Sequence, residues 1–520
     1  MKILKRIFIF FLLLASSSKV IAQNGNNPDR EVSYLNAVQA SQTTFGGTAR
    51  FQSIGGATTA LGADMGTISS NPAGLGMYRK SDMSITGAIG IVNTQSTFQS
   101  SSPTTTGAGK GYPFVPNLGI VFAGQNKDTN SAWKGGAFGI AFNRISDYQS
   151  KFSYSGANDN SYSDYMVNKA NGSSAYNSFN LNVNSPPDLT SLGAATFLVF
   201  PQNPMDPGNS VYRGLANEQD STSVQHQETV STKGRQSQLD IGYGGNINDK
   251  LFIGLTVGVA SMKSTITKTY NENISSPDTT DPLSSFALSE NLVIKGTGIN
   301  FKLGTTYKIA DWIRIGATFQ TPTFYSMNAT YYYSVNANYI PVPQGLGYPD
   351  SVQSNQTPST VFNYKMQTPF KLTGGIALFA SKGGFISSDI SIVSYNTASL
   401  TSASSTPYDF SADNATIKQL CHTAINYNIG GELRRNTFRL RGGFAYYGSP
   451  YKVATGIQSS TLNFTAGMGF RFTSNYIDLA VVDSRSSYQY SPYTLSDAQG
   501  PLVQIKSSAI RVMLTTGILF

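Results

Sequence analysis

From about residue 80 onward, apolar and polar side chains alternate with a period of two, the mark of strands with one greasy face. In the closing segment Ile510, Val512, Leu514, Thr516, Ile518 and Phe520 share one face, while Arg511, Met513, Thr515 and Gly517 share the other. Similar runs come in pairs joined by turn-forming residues. Leu239 to Ile247 and Leu251 to Lys263 flank Asn248-Asp249-Lys250, and Ile299 to Ile309 and Ile313 to Gln320 flank Ala310-Asp311-Trp312. Phe370 to Ala380 and Phe385 to Tyr395 flank Ser381 to Gly384. Ala424 to Arg434 and Phe438 to Tyr447 meet at Arg435-Asn436-Thr437, and Leu462 to Phe472 and Tyr476 to Tyr490 meet at Thr473-Ser474-Asn475. With Met83 to Val92, Leu118 to Ala123, Phe138 to Arg144 and the closing run, about fourteen strands are predicted.

The connections alternate in length. Six are short, and the longer ones, such as 145–234, 321–365 and 396–420, are rich in Ser, Asn, Thr and Tyr. An even strand number with alternating short and long connections predicts an all-β chain, a 14-stranded antiparallel transmembrane β-barrel over residues 81–520. Alternation alone also fits a soluble sandwich, so composition has to separate the two. Charged residues make up only 12% of the chain, about half the usual share of a soluble protein, against 30 Phe and 29 Tyr. At the N-terminus, Lys2, Lys5 and Arg6 precede the apolar run Ile7 to Ala15, and Val20-Ile21-Ala22 supplies cleavage-site residues. Residues 1–22 therefore read as a secretory signal peptide, too short in its apolar core for a membrane helix. Export and a membrane barrel together place the chain in a bacterial outer membrane. Short turns and both mature termini are expected in the periplasm, and the long loops outside.

The formal charge of +9 includes four cations of the first 22 residues; about +5 remains, too mild to indicate nucleic acid. The single cysteine, Cys421, excludes an internal disulfide framework and reads as a small strand residue. Residues 23–80 lack membrane-length alternation, are rich in Gly and begin with an expected short helix, Glu31 to Ser41. A fourteen-stranded barrel has a wide lumen, so this segment reads as a hatch or plug inside it; the alternative is a periplasmic tail.

Gly47-Thr-Ala-Arg-Phe51, Ile54-Gly-Gly56, Ala60 to Asp64 and above all Ser70-Asn-Pro-Ala-Gly-Leu75 resemble the N-terminal hatch of the FadL/TodX family of outer-membrane transport proteins. Tyr243-Gly-Gly-Asn246 with Leu251-Phe-Ile-Gly254, Thr368 to Leu372 with Ile386-Ser-Ser-Asp389, and Arg439-Leu-Arg-Gly-Gly443 with Gly448-Ser-Pro450 resemble its hairpins. With Arg79 after the hatch motif, the wording is similar to a Bacteroidetes subgroup labelled "hemin receptor". The resemblance implies passive uptake of hydrophobic small molecules, long-chain fatty acids foremost. Extracellular loops capture the ligand, the hatch blocks the pore, and release runs through a gap at the third strand. It implies no cofactor and no metal.

Candidate residues follow. Ser70, Asn71, Pro72, Ala73, Gly74, Leu75 and Gly76 are expected to fix the sealing conformation of the hatch, or else to form a turn that never moves. Gly135, Gly136 and Gly139 mark the third strand as the place where pairing weakens, since glycine in a strand marks bends. Alternation turns Lys302, Arg314, Lys371, Arg439, Arg441, Arg471 and Arg511 inward against Asp240, Asp389, Glu432 and Asp478. Arg439, Arg441 and Arg471 are candidates for a carboxylate head group, or for pairing with Glu432, Asp478 and hatch acids such as Asp64. Ala194 to Phe200, an apolar run in the longest loop, is expected to be buried as a lid, groove wall or ligand site. An enzyme is not expected: a hydrolase needs a base beside its nucleophile, and His226 and His422 lie in separate loops. The competing readings are a barrel that shuttles secreted proteins and a heme-binding receptor. Expected partners are a hydrophobic ligand, outer-membrane lipid and lipopolysaccharide, and the barrel-assembly machinery, with a monomeric state.

Overall fold

A computed structural model describes residues 34–520 except 45, 101–102, 129, 173–187, 204–209, 215–223, 276, 278, 280, 344–348, 350, 382, 406–407, 454–458 and 496–499. The expected signal peptide, 1–22, and the start of the expected first helix lie outside the described residues. Fourteen antiparallel strands form the wall: β1 (Asp82–Gln99), β2 (Thr104–Gln125), β3 (Trp133–Asp147), β4 (Val224–Ile247), β5 (Leu251–Ile274), β6 (Leu283–Ala310) and β7 (Ile313–Gln320), then β8 (Lys371–Phe379), β9 (Gly384–Ser394), β10 (Thr423–Arg435), β11 (Phe438–Tyr447), β12 (Thr461–Arg471), β13 (Asn475–Tyr490) and β14 (Leu502–Leu519). Strand β1 pairs with β14 from Asp82 opposite Leu519 to Gln99 opposite Leu502, so the sheet closes on itself. Closure removes the free edges that an open sheet would expose. Three strands continue past a break: β3 as Ser150–Asn158, β7 as Phe324–Tyr339, and β9 as Ser399–Ser402; Thr360–Gln367 leads into β8. Pro322 and Pro369 stand at two of these breaks, where proline has no N–H to give the ladder.

Every predicted strand is present; their lengths differ from expectation. Strands β4, β5 and β6 run 24, 24 and 28 residues, against 10 and 11 in β11 and β12. About 9–11 residues cross the hydrocarbon core, so β4 to β6 project far beyond it. The segment 145–234, expected as one loop, is therefore strand at both ends: Ser150–Asn158 pairs with β4 from Thr232 to Val224. Along Gln225 to Arg235 both faces of β4 are largely polar, so alternation does not betray the strand there.

The outer face carries the apolar band, with Leu239, Ile241, Ile253, Leu255, Phe301, Leu303, Ile510 and Val512 among its exposed residues. Trp133 and Trp312, the only tryptophans, sit at the turn end with Tyr307, Phe472 and Phe520, an aromatic girdle at a membrane interface. At that end Asn248 and Asp249 both have φ 54°, the geometry of the tight turns that match strand twist.

Residues 34–78 lie within the barrel. Helix α1 (Tyr34–Ser41), α2 (Ala49–Ser53), α3 (Thr67–Ser70) and a 3-10 turn (Pro72–Met77) are largely buried against the inner wall. On the loop end, α4 (Tyr162–Gly172) and α5 (Leu189–Ala195) pack on the projecting strands through Met166, Leu192, Leu198, Phe286 and Tyr339. The apolar run from Ala194 is buried here as expected at Leu198 and Val199, while Phe197 remains exposed. Helix α6 (Ser411–Leu420) covers another part of the rim.

Candidate functional site

Asn71 is the hub of the hatch. Its Oδ1 accepts from Ala73 N at 3.1 Å and caps the 3-10 turn, in which Pro72 takes the first position, where no N–H is needed. Its Nδ2 donates to Thr59 O at 2.6 Å within the hatch, and to Thr305 O and Thr306 Oγ1, both at 3.1 Å, on β6. Ser70 faces Thr58, their hydroxyls 3.2 Å apart. Ala73 and Leu75 are fully buried, and Gly74 packs on Thr67, where a β-carbon would come within 2.8 Å of its side chain. Gly76 lies against the Gly245 carbonyl with no room for a side chain.

That last contact is one of a ring. Inward-facing Gly244, Gly254 and Gly316 meet the hatch backbone at Pro72 and Thr59, and Gly430 and Gly443 meet it at Ile54. Gly139 on β3 receives Ile68 and Leu75. Wall and hatch touch backbone to backbone around much of the circumference.

Polar anchors reinforce the fit. The Asp389 carboxylate on β9 accepts from Thr58 N (2.9 Å), Thr59 N (3.0 Å) and Thr59 Oγ1 (2.8 Å). Asn428 donates to Gly55 O at 2.6 Å, Thr465 to Ser53 O at 2.9 Å, and Ala49 N donates to Thr515 Oγ1 at 2.7 Å. Ser69 bonds Asp240 and accepts from Asn143. None of these wall residues was singled out as an anchor from sequence, although Asp389, Gly254 and Gly443 stand in the motifs quoted above.

The arginine candidates are committed elsewhere. Buried Arg441 reaches Glu432 and Asp478, each at 2.6 Å, and Arg471 reaches Asp478 at 3.4 Å while lying 3.9 Å from the Tyr476 ring centre. Arg50 of the hatch joins the network at 3.6 Å from Glu432 and 3.4 Å from Asp64. Arg439 bonds the backbone carbonyls of Asn436 and Phe438 at the turn. These contacts fit the second of the two readings, pairing with Glu432 and Asp478, for Arg441 and Arg471, while turn carbonyls hold Arg439.

Gly135, Gly136 and Gly139 are paired on both sides, to Gln125, Gly124 and Val121 of β2 and to Asn246, Gly245 and Gly242 of β4. Gly135, with φ 132°, sits at a register shift against β4, while Gly136 packs under Tyr243 and Gly139 against the hatch. The ladder between β2 and β3 instead ends at Asn117 opposite Asn143. Above that pair, residues 104–116 of β2 have ladder pairing with β1 alone, and the side chains of Thr104 and Lys110 reach across to Ser155 O and Thr232 O, while β3 shifts register between Arg144 and Ser146 and its continuation turns inward. There Thr94 of β1 donates to Lys151 O at 2.6 Å, and Phe98 stacks on Tyr154 with ring centres 5.5 Å apart. The seam opens within the apolar band, since Ile89 and Ile91 on β1 stand beside it and face outward. Pro113 and Pro116 on the free stretch remove two donors that a partner strand would need.

On the inside, hatch residues border the seam: Thr44 N donates to Ile145 O at 3.0 Å, and Gly46 lies against Arg144 O. Behind them is a cavity of about 110 Å³ lined by Thr44, Asn143 and Ile145 on the seam side and by Lys302, Lys371 and Asp389 across from it. Lys302 is held by Asp240 at 3.1 Å.

The histidines lie apart from this cavity. His226 is buried near the far end of β4, its Nδ1 3.0 Å from Tyr270 OH; His422 Nε2 is 3.0 Å from Ser449 O. Among the described residues no group of three or more His, Cys, Asp or Glu could hold a metal.

A closed fourteen-stranded antiparallel barrel with a segment seated in its lumen defines the class of fold. No family model matches the chain, and no curated protein matches it. Among solved structures it is similar in fold to a Pseudomonas aeruginosa FadL homologue, at 12% identity over 92% of this chain and 98% of that one, with a TM-score of 0.53. It is likewise similar to the P. putida toluene transporter TodX, at 14% identity over 92% and 99%, with a TM-score of 0.50.

Proposed function

We propose that this chain is an outer-membrane channel for passive uptake of hydrophobic small molecules, with long-chain fatty acids the leading ligands. The observation that carries the reading is the pairing of a filled lumen with a seam in the wall. The cavity of about 110 Å³ is far below the roughly 300–1,000 Å³ of ordinary ligand sites, so passage requires the hatch to yield. A molecule that reaches the cavity meets the β2–β3 seam, which opens at the level of the hydrocarbon. Release sideways there gains about 0.8 kcal/mol per CH₂ transferred, with no other energy source needed. The hatch residues Thr44 and Gly46, set against the free edge of β3, are the door in this reading; Ser70 to Gly76 hold the frame. The fold shared with a toluene transporter supports a hydrophobic ligand. Residues 1–22 serve as the export signal, the short turns face the periplasm, and the barrel acts as a monomer.

The test is a tether across the seam. Cysteines at Pro113 and Asp147, in a Cys421→Ser background, would be joined by a reducible bifunctional reagent. Uptake of a radiolabelled long-chain fatty acid should fall at least tenfold and return on reduction. Undiminished uptake with the tether in place would remove the lateral route.

A further inference from the structure

The outer wall carries a second ordered feature, where β4, β5 and β6 leave the apolar band. Three successive rows cross these strands in register. Leu239, Val259 and Ile299 stand opposite one another and are exposed, the last apolar row. Two residues further toward the loop end come Ser237, Ser261 and Thr297, a row of hydroxyls of which Ser261 and Thr297 are exposed and Ser237 is buried. Two more bring Arg235 opposite Lys263 and Lys263 opposite Lys295, all three exposed.

Like charges directly opposite each other on neighbouring strands are destabilising, and here three are placed side by side. The acid nearest in register, Asp147 opposite Arg235, is engaged by Arg144. Lys233 on β4 and Lys365, opposite Ser326 beside the hydroxyl row, add two more exposed cations at the margins. Strands lie about 4.8 Å apart, so the three-cation row spans roughly 10 Å of wall. Such a row suits an anionic partner, and its height fixes the partner's shape: anionic groups above, hydroxyl acceptors at the border, acyl chains below.

We propose that Arg235, Lys263 and Lys295 form a docking site for the phosphorylated head group of an outer-leaflet glycolipid, the lipid A portion of lipopolysaccharide. Guanidinium and ammonium groups hold the phosphates, Ser261 and Thr297 meet the sugar and linkage oxygens, and the acyl chains lie along Leu239, Val259 and Ile299. This inference rests on the outer-membrane reading above.

The test uses the full-length barrel purified from outer membranes in mild detergent, with bound lipid A counted by native mass spectrometry. The triple variant R235S/K263S/K295S should retain at least tenfold less than wild type. A comparator, R485S/K506S, removes outward cations on β13 and β14 and should retain the wild-type amount. Heat-modifiable migration on gels reports that each barrel is folded, and these exposed positions leave the core untouched. Dephosphorylated lipid A should not bind, and millimolar inorganic phosphate should not displace the intact lipid. Equal retention by the triple variant, equal binding of the dephosphorylated lipid, or full displacement by free phosphate would each overturn the site. Failure of the outer-membrane reading looks different: wild type, comparator and triple variant would all come from another membrane fraction with no lipid A.

Discussion

Replacing Asn71 tests whether the hatch seals the lumen. Asn71→Ala removes the cap on Ala73 N, worth about 1 kcal/mol, and the donor to Thr59 O, Thr305 O and Thr306 Oγ1. At about 1 kcal/mol for each net bond, with one of the three acceptors finding another donor, the loss is about 3 kcal/mol. That shifts the ratio of seated to unseated hatch by roughly a hundredfold. Asn71→Asp is the sharper probe. It keeps the cap but sets a carboxylate against two carbonyl oxygens, so it should unseat the hatch more than alanine does. Asn71→Ser, which retains a cap and one donor, should fall nearest wild type. The assay is ion conductance in planar bilayers, together with sensitivity of cells to a large antibiotic that intact outer membranes exclude. The expected order of leak is Asp above Ala above Ser. A folded Asn71→Asp barrel as tight as wild type would refute the reasoning, because either the motif holds nothing or the segment seals nothing.

Gly443→Val on β11 puts a side chain into the Ile54 backbone and should raise conductance while heat-modifiable folding survives; tight closure would show that the hatch is not set by wall contact. Arg441→Ala removes the cation that Glu432 and Asp478 share, leaving Glu432 to Arg434 and Arg50 and Asp478 to Arg471, and should lower unfolding stability in urea by about 1.5–3 kcal/mol. Fatty-acid uptake by the surviving folded fraction should be unchanged, since this arginine is an ion-pair partner. At the loop end, burial pushes the Glu272 carboxyl up to about 7 and the His226 imidazole down to about 4. The raised carboxyl loses stability as pH rises from about 4.5 to 7; the lowered imidazole loses it as pH falls from about 6.5 to 4. The slopes oppose each other, so protease resistance of the α4 cap, tied to Glu272 through Tyr162 N at 2.7 Å, should vary little with pH in wild type. His226→Gln should make it weaken as pH rises, and Glu272→Gln as pH falls; parallel profiles would contradict the assignment.

The strands were legible because lipid enforces alternation: a residue such as Leu239 or Ile510 is apolar only because its neighbour faces the lumen. Where lipid ends, that rule lapses. Val224 to Gly234 therefore reads as loop although it is strand. The hatch motif was legible because Asn71, Pro72 and Gly76 each meet a geometric demand that few residues satisfy. The role of Arg441 stayed open between two readings, because an inward cation looks the same whether it awaits a ligand or faces Asp478 on a strand 37 residues away. The seam lies on the third strand, further along it than the glycines: Gly135 sits at a register shift and Gly136 and Gly139 admit packing, whereas the ladder opens where proline and an inward turn withhold partners.

The ring of wall glycines bears on how such a chain can change. A contact made by backbone against backbone imposes no demand for charge, shape or hydrogen-bonding type on the side chains around it, only that there be none at that point. Lineages could rewrite nearly every other position of the inner wall and still seat the same insert. Two chains can then share a fold at 12% identity, because all that such a contact demands is the absence of a side chain.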